Sequence, residues 1–193
     1  MRIERAVNYV TSLGPGKRLC IWVNGCPRRC EGCVSARLQS VDEETEADVY
    51  EYFLPYNLQA IDGVTISGGE PFMQADELLK LVEYFRHRGI LDILVYTGYT
   101  YEELLAMQDP TVNEVLEKIS VLIDGPYVKA LDFGRSNIKG SENQKIHYLD
   151  ERVKAFYENY ITEERNVREF LLGNVLLGVG IPTEEYIKNF AKK

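Results

Sequence analysis

The feature that most limits what this chain can fold into is a rhythm of short apolar runs. Residues 19–23, 63–67, 90–97 and 119–123 are four such runs, and helix-patterned segments lie between the later ones. Parallel neighbours need crossover connections, which helices supply, so this alternation predicts a parallel sheet. Val49, Tyr52 and Phe53 fall at helical spacing ahead of Pro55, and Leu78, Leu81, Val82 and Phe85 recur at i, i+3, i+4 and i+7. Thr100 with Glu103, and Thr111 with Glu114, have the spacing of capping boxes at helix starts. The expected class is α/β, a partial (β/α) barrel of parallel strands. With 193 residues, 45% of them hydrophobic, the chain supports one core, so residues 1–193 are expected to form one domain with its core at about 14–150. Residues 151–193 read as an appendage. Runs 167–172 and 175–179, joined by Gly173-Asn174, predict a β-hairpin, and residues 183–191, opened by Pro182, predict a final helix.

A parallel sheet puts the C-terminal ends of its strands on one edge, and ligands bind there. The four loops at those ends are chemically marked: CPRRCEGC (26–33), SGGEP (67–71), Thr97-Gly98, and Asp124-Gly125-Pro126. They are expected to converge on a single site. In the first, Cys26, Cys30 and Cys33 have C-x3-C-x2-C spacing, and soft thiolates select iron-sulfur clusters, zinc or copper(I) over magnesium or calcium. Three thiolates leave one metal position free, where four would close the site. Cys20, mid-run between Leu19 and Ile21, reads as a core thiol, with a fourth ligand as the alternative. His87 reads as the cationic end of a helix before Gly89, and the sequence assigns His147 no role.

Charge excludes other classes. Lys plus Arg number 22 against 30 Asp plus Glu, a net charge of -8, which argues against general phosphate binding and so against nucleic acid as partner. No apolar run approaches the roughly 18 residues of a membrane span, and the charged N-terminus does not read as a signal peptide, so a cytoplasmic protein is expected. Gly14-Pro-Gly-Lys-Arg18 lacks the glycine and hydroxyl residue of a phosphate loop and reads as a turn into the first parallel strand.

CPRRCEGC after one strand, with Ser67-Gly-Gly-Glu-Pro71 after the next, resembles the radical S-adenosylmethionine (radical SAM) superfamily. The resemblance implies that Cys26, Cys30 and Cys33 hold a [4Fe-4S] cluster and that SAM takes the free iron. It further implies that Gly68, Gly69 and Glu70 meet the methionine part of SAM and that the backbone at Gly32 approaches the adenine. Many members carry an aromatic residue at the position of Gly32. Gly14–Leu19, Gly32-Cys33, Asp124-Gly-Pro and Gly140-Ser-Glu-Asn-Gln-Lys145 resemble the small activases of anaerobic ribonucleotide reductase, with Lys145 in place of arginine and Glu70 in place of aspartate. That implies radical generation on a glycine of a partner enzyme, no side chain acting as a conventional acid, base or nucleophile, and a flavodoxin-type or other low-potential electron donor. Arg28 and Arg29 are candidates to dock such a donor, or are simply solvated. Asp124 is a SAM or cation contact or a turn cap, and Tyr96 and Tyr99 flank the site. A radical SAM enzyme acting on a small molecule or peptide, and a non-catalytic zinc or iron-sulfur module, are the alternative functions.

Overall fold

The computed structural model describes residues 1–190. Its centre is a six-stranded sheet in the order β1 (Ile3–Val10), β2 (Arg18–Val23), β3 (Gly63–Gly68), β4 (Ile93–Tyr96), β5 (Val121–Asp124) and β6 (Lys145–Tyr148). Strands β2 to β5 run parallel in chain order, as the apolar runs predict. The outer strands are additions to that expectation: β1 pairs antiparallel with β2, and β6 antiparallel with β5. The fold is therefore mixed α/β, with a mostly parallel central sheet.

Helix α1 (Val49–Phe53) is capped by Asp48 and stops ahead of Pro55. Helix α2 (Ala75–His87) ends where Gly89 takes φ +81°, a conformation cheap only for glycine, and leaves His87 exposed at its last turn. The capping box of Thr100 and Glu103 opens α3 (Tyr101–Ala106) as expected. At α4 (Pro110–Lys118) the expected box at Thr111 is corrected, because Asp109 is the N-cap and accepts from the Thr111 amide. Pro110 then takes the first helical position, where its missing N–H costs nothing.

Alternation along β2 divides the core. Leu19, Ile21 and Val23 face α2 and α4, packing with Leu78, Leu81 and Val115. Cys20 and Trp22 face the opposite side. There the appendage covers the sheet: α5 (Glu151–Tyr160) lays Tyr157 and Tyr160 over Leu94, Val121 and Ile123. The hairpin β7 (Val167–Leu172) and β8 (Val175–Gly180) packs Val179 against Val7, Val10 and Cys20. The final helix α6 spans Glu184–Phe190, and residue 191 of the expected helix lies outside the described residues. Cys20 is 1% exposed, and burial pushes its thiol up to about 12, which suits a core thiol.

A charged side chain, that of Arg18, sits inside this core. Arg18, fully buried, donates to Asp92 Oδ2 at 2.7 Å, to Thr65 Oγ1 at 2.7 Å and to the carbonyl of Val64 at 2.8 Å. Tyr157 of α5 donates to the other Asp92 oxygen at 2.8 Å, so one carboxylate joins the sheet to the appendage.

Candidate functional site

The marked loops converge as parallel topology requires, and hydrogen bonds run from each to the next. After β3 the amide of Gly69 donates to the Val23 carbonyl at 2.7 Å and that of Glu70 to the Gly25 carbonyl at 2.8 Å. The two glycines permit this contact. A Cβ at Gly68 would lie 2.4 Å from the Val23 nitrogen, and one at Gly69 2.2 Å from the Gly25 oxygen. Their closest approach is therefore to the backbone entering the cysteine loop. On the far side Thr97 donates its amide to Ile123, and Gly125 donates to Tyr99 at 2.8 Å.

Glu70 locks the middle of this rim. Fully buried, it accepts from the Phe72 amide at 3.0 Å, Thr97 Oγ1 at 2.9 Å and the Gly98 amide at 2.7 Å. Desolvation outweighs those donors and the nearby Arg28 charge, and lifts its pKa from 4.5 to about 7. A carboxyl whose folded pKa lies above its unfolded one binds more protons when folded. The metal-free protein should therefore lose stability as pH rises from about 4.5 to about 7, by about 3 kcal/mol in all. Urea midpoints measured across that range should show the slope in the parent and its loss in Glu70→Gln. Equal slopes in both would sink the assignment.

The cysteine loop leaves β2 with its three thiols half-buried. The Gly25 and Cys26 amides donate to the carbonyls of Leu38 and Gln39, which anchor its base. Beside Cys26 the amides of Arg28 and Arg29, and beside Cys33 the Ser35 amide and the Gln39 side chain, favour the thiolate and oppose the effect of burial. Arg29 has φ +47°, and such strain at a non-glycine residue collects at functional loops. Burial raises the thiol pKa of both Cys26 and Cys33. Among the described residues no three His, Cys, Asp or Glu side chains are drawn together at metal-holding distances. The donor set nonetheless suits an iron-sulfur cluster: three soft sulfurs, free and half-buried, on one loop anchored at its base by the Leu38 and Gln39 carbonyls. Gly32 at φ +74° is exposed, and a Cβ there would lie 3.2 Å from Lys129 Cδ and 3.5 Å from Tyr127 Cε1.

The flanking residues sort clearly. Arg28 is not a solvated group. It pairs with Glu103, and its guanidinium lies 4.3 Å from the centre of the Tyr99 ring, strapping the cysteine loop to the β4 end. Arg29 is exposed. Tyr96 is turned away from the rim and donates to the Ile138 carbonyl at 2.8 Å. Asp124 is a buried strand-end cap that accepts from the amides of Tyr101 at 2.7 Å and Lys145 at 3.0 Å. His147 stands beside it, Nε2 2.9 Å from Asp124 Oδ2 but out of line for a hydrogen bond, with its ring stacked on Tyr101. In the 140–145 stretch, Gln144 accepts from the Gly140 amide and donates to the Gly125 carbonyl, while Asn143 donates to that of Pro126. That stretch buttresses the β5 loop. Tyr127 beside Gly32 is the residue that sequence reasoning missed, and its only signal was an aromatic directly after the Asp124-Gly-Pro turn.

Comparison with known proteins bears on the same residues. The family model described as a 4Fe-4S single cluster domain matches residues 12–147, which include the three cysteines and SGGEP. The anaerobic ribonucleoside-triphosphate reductase-activating protein of Escherichia coli (strain K12) is 35% identical over 144 residues, 70% of this chain and 91% of that one. That of Enterobacteria phage T4 is 31% identical over 139 residues, 69% of this chain and 85% of its own. The pyruvate formate-lyase-activating enzyme of Listeria monocytogenes is 27% identical over 129 residues, 64% of this chain and 50% of its own. The chain thus belongs to the 4Fe-4S single cluster domain family, among the radical SAM activases of glycyl-radical enzymes.

Proposed function

We propose that this protein generates the glycyl radical of a partner enzyme such as an anaerobic ribonucleoside-triphosphate reductase, using one [4Fe-4S] cluster and SAM. The observation that carries the reading is the rim itself, where a three-thiol loop is hydrogen-bonded through Gly69 and Glu70 to the next strand end. Cys26, Cys30 and Cys33 would hold the cluster. When bound, cluster and SAM supply reductive cleavage of the sulfonium, yielding methionine and a 5'-deoxyadenosyl radical that removes hydrogen from the partner's glycine.

The chain's own residues bind and orient. Gly68 and Gly69, whose Cβ-free faces close on the Val23 and Gly25 backbone, would bring the strand end close enough to meet the methionine part of SAM. Glu70, fully buried with three donors on its carboxylate, would fix the Thr97-Gly98 edge of the pocket that receives the SAM ammonium. Gly32 takes the adenine side. Residues 1–193 act as one domain, with the sheet curved as a partial (β/α) barrel, and residues 151–190 close its second face. Among the described residues no helix is long and apolar enough to cross a membrane, and we place the protein in the cytoplasm. Arg29, exposed beside the cluster loop, would dock an acidic low-potential donor of flavodoxin type.

Mixed anaerobically with a candidate glycyl-radical protein, SAM and reduced flavodoxin, this protein should produce a glycyl doublet in the EPR spectrum. Release of 5'-deoxyadenosine with no doublet on any such partner, but with turnover of a small molecule or peptide, would reject the partner assignment. An Arg29→Ser variant whose rate and salt dependence match the parent would reject the docking role.

A further inference from the structure

The family match ends at residue 147, yet a side chain from beyond it is bonded into residues 132–140. Arg165, in the link between α5 and β7, has its side chain 6% exposed and carries more bonds than a surface arginine would. It donates to the carbonyl of Ser136 at 2.8 Å, of Lys139 at 3.1 Å and of Pro182 at 3.2 Å, and to Asp132 Oδ1 at 2.9 Å. The other oxygen of Asp132 accepts from the Tyr127 hydroxyl at 3.2 Å. The Tyr127 ring is wedged between two glycines. A Cβ at Gly140 would lie 3.0 Å from Cδ2, and one at Gly32 3.5 Å from Cε1. A guanidinium with a planar fork suits this task, because it fixes the carboxylate and the loop carbonyls in one plane of donors.

We propose that Arg165 is a positioning residue of the cysteine-loop site, acting through Asp132 and Tyr127 to hold the wall beside Gly32 and Cys33. The C-terminal extension thereby serves a reaction it does not touch. Its effect on turnover rests on the reading of this loop as the cluster and SAM site, whereas the mechanical link does not.

The test compares Arg165→Met, Tyr127→Leu and the double variant in the full chain, with Arg165→Lys as the conservative control. Two quantities are read: amide hydrogen exchange in residues 29–34, and KM for SAM against kcat for 5'-deoxyadenosine release. Because groups that orient a site from behind its ligands typically contribute 10–100-fold, Arg165→Met should raise KM about tenfold and leave kcat within about twofold. Exchange in the cysteine loop should accelerate by a similar factor, and Arg165→Lys should restore part of both. The double variant should be no worse than either single change, since both cut one path. A lowered Tm with unchanged loop exchange and KM would overturn the proposal, as would single effects that multiply in the double variant. If the parent protein cleaves no SAM, the functional reading fails, and the exchange measurement alone decides the brace.

Discussion

Cys30→Ser is expected to abolish 5'-deoxyadenosine release and to strip most of the iron from anaerobically reconstituted protein. Even changes behind the metal ligands typically cost 10–100-fold, so loss of a ligand should exceed about 100-fold. Cys30 is the middle thiol of the loop, and its carbonyl accepts from the Cys33 amide at 3.3 Å. The fold should survive, because Cys30 is only half-buried and packs in none of the hydrophobic clusters. Cys20→Ser is the matched control. That thiol lies in the core against Val7, Val10 and Val179, so its loss should leave iron content unchanged. Iron loss in Cys20→Ser equal to that in Cys30→Ser would instead make Cys20 the fourth ligand of a closed, non-catalytic site.

The largest stability effect should follow from Asp92→Asn. The change leaves the Arg18 guanidinium fully buried without its countercharge, and breaking a buried pair from one side costs about 3–5 kcal/mol. Burial by itself would lower the Arg18 pKa, and in the parent Tyr157 and Asp92 outweigh it and hold the group above the ordinary arginine range; a guanidinium stays protonated in proteins, so the variant has no escape by losing the proton. For a chain of this length each kcal/mol moves Tm by about 2–4 °C, so Tm should fall by about 6 °C or more. The double change Arg18→Met with Asp92→Asn should recover part of that loss, because no charge is then left unpaired. A drop below about 1 kcal/mol in Asp92→Asn would show that the pair behaves like an exposed one. Tyr157 shares the carboxylate, so the loss should also loosen α5, which hydrogen exchange in residues 151–160 would register.

How much could be read before the structure follows from which signals are local. Strands β2 to β5 announce themselves as apolar runs because they are buried on both faces, and their order follows from the crossover rule. Strand β1 escapes because its pattern is broken. Its register shifts twice, and Tyr9 sits at φ +63°, so Ile3, Val7 and Val10 are its fully buried positions in place of a clean alternation. Strand β6 is four residues long at the sheet edge, with none fully buried, and carries no period to detect. The N-cap of α4 is easily misread because Thr111 and Glu114 imitate a box two residues too late, while Asp109-Pro110 holds the stronger signal.

At the site, the cysteines and SGGEP were legible as motifs, and their convergence followed from parallel topology. The contacts that build the site were not legible. That Gly69 abuts Gly25, that Glu70 is buried beneath Thr97 and Gly98, and that Arg28 is strapped to Glu103 depend on loops distant in the chain. The same holds for Arg18, which reads as a turn residue and is fully buried in the core.

The central claim is that the loop at Cys26, Cys30 and Cys33 presents a cluster with one position open to SAM. The EPR spectrum of the reduced, reconstituted protein, recorded with and without SAM, tests this most directly. An open position predicts that SAM shifts the g values of the cluster signal, and that Cys30→Ser lacks both signal and shift. A strong cluster signal that is identical with and without saturating SAM would contradict the account.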